Sequence, residues 1–214
     1  MRQDRAVPSR TATSAVTQDR FAEGALLLRE FIRHPMRTAT LMPSSIHLAK
    51  RMADALALPE ARVVVEIGAG TGALTEAVLP RLAPAARFLA VERNPVLLEA
   101  WRKRFNGWKG VEGNVADLGS ICGGEGFGGS GVCCVVSGLP WPAFPDWLQN
   151  QALDEIVSVL RPGGQMVTFG YHMGLMMPAG QRFLKRVGGR FRKVERLPWV
   201  WRNVPPAYIL RCTR

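Results

Sequence analysis

Val63-Val64-Val65-Glu66-Ile67-Gly68-Ala69-Gly70-Thr71-Gly72-Ala73-Leu74 is the stretch that decides how this chain is read. A β-branched apolar run enters three glycines at alternate positions, and a helix-forming segment, Leu74 to Leu82, follows. The pattern is that of a buried strand, a tight turn and a helix start. Glycines lack a Cβ, so the turn can take unusual dihedrals and a nucleoside-type ligand can approach bare backbone at a helix N-terminus. A plain glycine turn would show the same spacing. The buried strand before it and an acidic residue beyond it speak for a ligand.

Two cofactor classes use such a turn. Gly68, Gly70 and Ala73 formally meet the dinucleotide fingerprint G-x-G-x-x-G/A, which seats a pyrophosphate on the helix N-terminus. Glu66 argues the other way, because its carboxylate would repel a pyrophosphate but attract the ammonium of a bound amino acid. Together with Gly72 it makes E-x-G-x-G-x-G, which resembles motif I of the class I methyltransferases that bind S-adenosylmethionine. Arg87 to Val91 reads as a second strand ending at Glu92, 20 positions after Gly72. A carboxylate there can accept hydrogen bonds from both ribose hydroxyls, and it serves NAD equally well. Gly110-Val111-Glu112-Gly113 then leads into Asn114-Val115-Ala116-Asp117. The methyltransferase pattern usually carries an Asp at the adenine amine. Here the Asn114 amide oxygen would accept that bond, with Val115 beside it and Asp117 as the substitute.

A chain of 214 residues suits one α/β domain with an N-terminal appendage. Cys122, Cys133, Cys134 and Cys212 have neither C-x-x-C spacing nor a histidine cluster, so a reduced, metal-free cytoplasmic protein is expected. Met1 to Val16 has no apolar core of a secretory signal. The longest uncharged stretches, Gly126 to Pro145 and Pro162 to Gln181, are interrupted by Gly and Pro and do not read as membrane spans. The net charge of +11 is uneven. Residues 1–51 hold nine Lys/Arg against four acids, and residues 181–214 hold ten against one. Residues 52–180 hold nine against twelve. Basic ends around an acidic middle suggest an anionic partner, either nucleic acid or an acidic membrane surface; a solvated basic surface would look the same.

Three regions follow. Residues 1–17 are expected to be disordered, 18–60 to form N-terminal helices facing a membrane or closing as a lid, and 61–214 to form the cofactor-binding domain. In the helix-like stretch Gln18 to Arg33, Phe21, Ala25, Leu28 and Ile32 share one stripe, flanked by Arg20, Arg29 and Arg33. Such a stripe packs on a domain or lies in a lipid interface. Pro43-Ser44-Ser45 caps a helix from Ile46 to about Leu56. A helix over Pro95 to Phe105 and a glycine-rich surface loop over Gly119 to Gly131 come next. Val132 to Val136 is a buried strand, and Pro145 to Leu160 is mostly helical. Arg161-Pro162-Gly163-Gly164 is a helix-stop turn before a strand from Gln165 to Gly170. Arg192 to Leu197 and Ala207 to Cys212 suit an antiparallel terminal pair.

From about residue 24 onward the chain resembles the soluble bacterial phospholipid N-methyltransferases and their relatives acting on other aminolipids. The residues that carry this are Leu28-Arg29-Glu30-Phe31, Met42-Pro43-Ser44-Ser45, the glycine turn, Ser137-Gly138-Leu139-Pro140, Leu160-Arg161-Pro162-Gly163-Gly164, Phe169-Gly170-Tyr171 and Asn203-Val204-Pro205-Pro206-Ala207. The resemblance implies a Rossmann-like class I methyltransferase fold: a mostly parallel seven-stranded sheet with an antiparallel C-terminal strand and an N-terminal amphipathic helical extension. It also implies methylation of a lipid amine, such as phosphatidylethanolamine or an ornithine lipid, by a cytoplasmic protein held peripherally at a membrane. Methyl transfer is an in-line displacement by a neutral amine, so positioning and proton removal are what the protein must supply. Tyr171 is the first acceptor-site candidate and His172 the second. Ser137 would contribute its hydroxyl or the loop backbone, to either partner. Trp141 would wall the amine with its π face, although core packing is the commoner role. Arg29, Arg33 and Arg202 would grip a lipid phosphate. Met173, Leu175, Met176 and Met177, with Phe21 and Leu28, would meet acyl chains.

Three other readings compete. An RNA methyltransferase resembling the rRNA adenine dimethyltransferases would share the glycine turn and the basic surface. Ser137-Gly138 replaces the amide residue such enzymes use, however, and nucleic acid is not the expected partner. A small-molecule N- or O-methyltransferase would use the N-terminal helix as a lid. A protein that binds the cofactor without turnover would keep Glu66, Gly68, Gly70, Gly72 and Glu92.

Overall fold

The computed structural model describes residues 46–128, 131–172, 176–203 and 205–214. The expected disordered start, the amphipathic stripe with Arg29 and Arg33, the Met42–Ser45 cap, Met173, Leu175 and Val204 lie outside the described residues.

Helices α1 (Ile46–Asp54), α2 (Ala73–Val78) and α3 (Pro95–Arg104) are interleaved with strands β1 (Val63–Ile67), β2 (Arg87–Glu92) and β3 (Lys109–Glu112). There follow α4 (Leu118–Gly124), β4 (Val132–Ser137), α5 (Asp146–Val159), β5 (Leu160–Tyr171), α6 (Pro178–Gly188), β6 (Lys193–Arg196) and β7 (Ala207–Thr213). The strands make one seven-stranded sheet in the order β3-β2-β1-β4-β5-β7-β6. Strands β1 to β5 pair in parallel, while β7 runs antiparallel to both of its neighbours. The order reverses between β1 and β4, which opens a crevice at their carboxyl ends, where open α/β sheets bind ligands.

Both faces of the sheet are covered, which is why its strands read as nearly continuous apolar runs. Val64, Phe88, Ala90, Val136, Val167 and Phe169 pack under α1, α2 and α3 through Leu48, Met52, Leu74 and Trp101. Val65, Leu89, Val135 and Met166 pack under α4, α5 and α6 through Leu118, Ile156 and Phe183. Helix α1 therefore belongs to the same packed unit as the sheet, with Leu48, Ala49, Met52 and Ala53 all buried.

Several elements differ from the expectation. Pro80 ends the α pattern after Val78, and Leu79–Arg81 continues as a 3₁₀ turn, because proline offers no N–H to the preceding turn. Within the expected glycine loop, Leu118–Gly124 is helical: Leu118 and Cys122 are buried, and the Gly119 N–H donates to Glu155 Oε2 at 2.5 Å. Tertiary burial overrides the poor helix propensity of glycine here. Helix α5 does stop at the Arg161–Gly164 motif, but β5 already begins at Leu160. Leu160 pairs with Val132 and Gln165 with Cys134, so the motif bulges out between two paired positions. The basic segment around Phe183 is helix α6, which buries Phe183 and Val187.

Trp141 is corrected from pocket wall to core. It is 1% exposed, its ring stacks on Phe183 at 4.8 Å and meets Phe144 edge-on, and its indole N–H donates to Thr168 Oγ1 at 3.0 Å. No face of the ring is left for an amine. Replacing it with alanine should therefore lower stability by about 3–5 kcal/mol in denaturant titrations. Trp141→Phe should leave KM for the methyl acceptor unchanged, and a raised KM with intact stability would return the ring to the pocket.

Candidate active site

The glycine turn begins where β1 ends. The Gly68 N–H donates to the Val91 carbonyl at 2.9 Å, and the Gly70 N–H donates to Glu92 Oε2 at 2.9 Å. Gly72 then caps α2 with φ of +95°. A Cβ there would lie 2.0 Å from Phe105, so position 72 needs glycine for both its dihedral and its space. From the β4 side, the Gly138 N–H donates to Ile67 O at 2.9 Å. A Cβ on Gly138 would come within 2.6 Å of the Gly68 carbonyl. The Ser137-Gly138 loop and the glycine turn are thus seated directly on each other.

Glu66 is wholly buried beneath this turn. The Thr75 hydroxyl donates to Glu66 Oε2 at 2.7 Å, and Trp101 Nε1–H donates to Thr75 Oγ1 at 2.7 Å. Glu66 Oε1 has no hydrogen-bond partner. Burial pushes its pKa up to about 8, against the hydroxyl and backbone N–H of Thr75, while Glu92 adds repulsion. Glu92, at the tip of β2, accepts from Gly70 N–H and, through Oε1, from Asn94 N–H at 2.8 Å. Burial raises its pKa too, opposed by the N–H groups of Asn94, Gly70 and Arg93 and by the Arg93 charge. Each Glu92 oxygen keeps a lone pair for a further donor. Asn114 caps the 3₁₀ turn Val115–Asp117, its Oδ1 accepting from Ala116 N–H at 3.1 Å. That leaves its amide N–H₂ and one acceptor position on Oδ1, with Val115 opening the turn beside it.

On the acceptor side the expected residues separate. Tyr171 ends β5 opposite Ala207 and packs on the α1–α3 face, the face that also carries Glu66 and Glu92. Burial raises the Tyr171 phenol pKa, so at neutral pH it is a hydrogen-bond partner and not a base. His172 is exposed, with its ring 5.4 Å from that of Trp199. Ser137 is fully buried, and its Oγ accepts from Leu139 N–H at 3.4 Å, so the hydroxyl holds the loop. Arg202 is exposed in the β6–β7 connection, next to Trp201. Thr75 and Trp101 went unnoticed in the sequence. The available signal was the polar Thr75 among the apolar residues of α2.

These residues fit S-adenosylmethionine. A buried carboxylate oxygen without a partner is unfavourable unless a cation meets it, and the α-ammonium of the cofactor's amino acid is such a cation. The bare turn admits the nucleoside, and the free lone pairs of Glu92 suit two ribose hydroxyls. When bound, the cofactor supplies an electrophilic methyl group on a sulfonium. What the chain contributes is orientation, exclusion of water and a polar partner for the incoming amine.

Comparison with known proteins agrees. A family model described as a methyltransferase domain matches residues 64–164. Among solved structures, the O-methyltransferase from Bacillus cereus in complex with SAH superposes with a TM-score of 0.65 at 11% identity, over 90% of this chain and 91% of that one. The TehB-like SAM-dependent methyltransferase from Corynebacterium glutamicum gives a TM-score of 0.61 at 15% identity, over 90% of this chain and 98% of that one. At these identities the likeness speaks for the fold alone. Fold and site together define a class I S-adenosylmethionine-dependent methyltransferase. The ornithine lipid N-methyltransferase of Singulisphaera acidiphila is 35% identical over 193 residues, 87% of this chain and 94% of the relative. The chain belongs to the methyltransferase family of that enzyme.

The raised pKa of Glu66 has two consequences with defined signs. Between its unfolded value of 4.5 and about 8, the folded protein binds a proton that the unfolded chain does not, so Glu66 destabilises the fold progressively as pH rises through that window. Pairing with the cofactor ammonium requires the ionised form. Cofactor binding at pH 7 should therefore release about one proton, and affinity should rise towards pH 8. Calorimetry in buffers of different ionisation enthalpy measures this, and Glu66→Gln should abolish the release.

Proposed function

We propose that this chain methylates the amine headgroup of an aminolipid, of the ornithine-lipid or phosphatidylethanolamine kind, at a membrane surface on its cytoplasmic side. The observation that carries this reading is the similarity to an ornithine lipid N-methyltransferase across nearly the whole of both chains. The surface beside the acceptor site supports it. Trp147 at the start of α5, Met176 and Met177 before α6, and Trp201 between β6 and β7 are 63%, 73%, 52% and 70% exposed. All four stand at the carboxyl end of the parallel strands, the end at which Tyr171 closes β5. Indole rings and thioethers suit a boundary between headgroups and acyl chains.

In this reading the amine enters beside Tyr171, whose hydroxyl accepts or donates a hydrogen bond as the nitrogen turns towards the methyl group. His172 lies on the solvent side, where it can take a proton from the ammonium. Arg202 meets the phosphate or carboxylate of a lipid headgroup, and Arg29 and Arg33, by their sequence, are separate candidates for anionic lipid. Among the described residues no helix is long and apolar enough to cross a membrane. In this reading association rests on the exposed rim and, as the sequence suggests, on the N-terminal stripe.

Incubation with methyl-labelled cofactor and a mixture of aminolipid vesicles, RNA and small amines should place the label in the lipid phase. Label confined to RNA or to water-soluble amines would overturn the assignment. Trp201→Ala combined with Arg202→Ala should reduce co-sedimentation with anionic vesicles by about fivefold or more, at about 1 kcal/mol per basic residue near an acidic surface. Turnover of a short-chain, detergent-dispersed aminolipid should fall less than turnover in vesicles.

A further inference from the structure

Glu66 Oε1 is buried without a partner, while Oε2 is held by a threonine that is itself held by a tryptophan. A threonine hydroxyl has one proton and two acceptor positions, and it can spend its proton on the carbonyl four residues earlier in its own helix. In α2 that alternative would be Thr71 O. Trp101 Nε1–H, a group that can only donate, fills one acceptor position of Thr75 Oγ1 at 2.7 Å. The Thr75 proton is directed to Glu66 Oε2 at 2.7 Å. Thr75 and Glu66 are fully buried and Trp101 is equally sealed, so no solvent competes for these bonds. With Oε2 held by the Thr75 hydroxyl, rotation of the carboxyl group would break that bond, and Oε1 is the atom left over.

We propose that Thr75 and Trp101 are positioning residues: a two-step relay from α3 through α2 that fixes the Glu66 carboxylate so that Oε1 is presented to the cofactor's ammonium. The relay belongs to a larger clamp. From the same turn of α3, Arg104 donates to the Thr71 carbonyl at 3.2 Å and pairs with Glu76, and Phe105 closes over Gly72. The other charged group that acts on Glu66 is Glu92 of β2, whose repulsion makes an anchored orientation more valuable. The inference rests on the cofactor alone and holds whichever acceptor is methylated.

The test compares two ligands by calorimetry: S-adenosylhomocysteine, which carries the ammonium, and 5′-methylthioadenosine, which lacks the amino-acid arm. Thr75→Val should weaken S-adenosylhomocysteine by about ten- to a hundredfold, the range for losing a hydrogen bond to a charged group. It should leave methylthioadenosine within about twofold, because only the arm reaches Glu66. Thr75→Ser should restore affinity for S-adenosylhomocysteine. Trp101→Phe should give an intermediate loss and move the pH midpoint of binding upward, since the Thr75 proton is then free to leave the carboxylate. If Thr75→Val fails to fold, the Thr75→Ser and Trp101→Phe proteins still decide the matter. Equal losses for both ligands in folded variants, or no selective loss for S-adenosylhomocysteine, would overturn the relay while leaving the aminolipid reading untouched.

Discussion

A carboxylate sealed from water at the carboxyl tip of β1 is the constraint around which this structure is arranged. Burying a charge is unfavourable unless it is both paired and hydrogen-bonded. The fold supplies a neutral donor to one oxygen of Glu66 and none to the other, and burial raises the pKa of the group to about 8, so a proton neutralises it when no cation is present. The donor comes from α2, whose entry depends on the left-handed dihedral of Gly72. The placement of α2 depends in turn on α3, through Trp101, Arg104 and Phe105. Glu92 adds repulsion from the neighbouring strand, and each of its own oxygens accepts one backbone N–H, from Gly70 and from Asn94. The glycine turn is thereby held between two acids on adjacent strands, each anchored by a different helix start.

The two faces of the sheet divide the work. Alternation along the strands sends Glu66, Glu92 and Tyr171 to the face covered by α1, α2 and α3. Ser137, Thr168 and Trp141 serve the other face, where they form a chain: Trp141 donates to Thr168, and Thr168 donates to the Ser137 carbonyl at 3.4 Å. That chain fixes the loop after β4 from below, and the loop meets the glycine turn through Gly138. Ser137 and Trp141 thus belong to the packing of the face opposite Glu66, Glu92 and Tyr171. Tyr171 is the expected acceptor residue whose side chain shares the face of the cofactor acids.

This division explains what was legible in the sequence. Glu66, the three glycines and Glu92 could be read because each is fixed by its neighbours in the chain: strand, turn and strand end. Thr75 and Trp101 could not, since their meaning lies in a contact across 26 positions between two helices. Trp141 was ambiguous for the same reason, because Phe183 and Thr168, far along the chain, determine where its ring lies. Helix α4 was hidden by its glycines: local propensity points to a loop, and burial of Leu118 and Cys122 against α5 decides otherwise. The antiparallel terminal pair was legible from its two short strands around a Pro-Pro turn, whereas the insertion of β7 between β5 and β6 is seen only in the sheet. The bulge at Arg161–Gly164 did not, because a helix stop and a strand irregularity use the same residues.

The basic character of the C-terminal segment also changes meaning once its partners are known. Read as a sequence, residues 181–214 suggest one large anion-binding surface. In the fold, Arg182 and Arg186 pair with Asp146, and Arg190 pairs with Asp154, fastening α6 to α5. Arg211 of β7 pairs with Glu195 of β6 across the terminal strands, and Lys193 of β6 shares the same carboxylate. The Asp146 and Glu195 carboxyls are held below their usual pKa by these arginines, through hydrogen bonds to Arg186 and Arg211 foremost, so the pairs persist at neutral pH. Much of the positive charge is thus engaged in joining elements, and exposed pairs of this kind add little stability individually. Their value is geometric, since they tie the start of α5 to the middle and end of α6 and the middle of α5 to the residues after α6. Arg202 emerges beside Trp201 at the rim that carries Trp147, Met176 and Met177. The surface at the carboxyl end of the parallel strands, near the proposed acceptor side, is therefore apolar and aromatic with a local cation, a composition that favours the proposed headgroup boundary over the regular phosphate lattice of a nucleic acid.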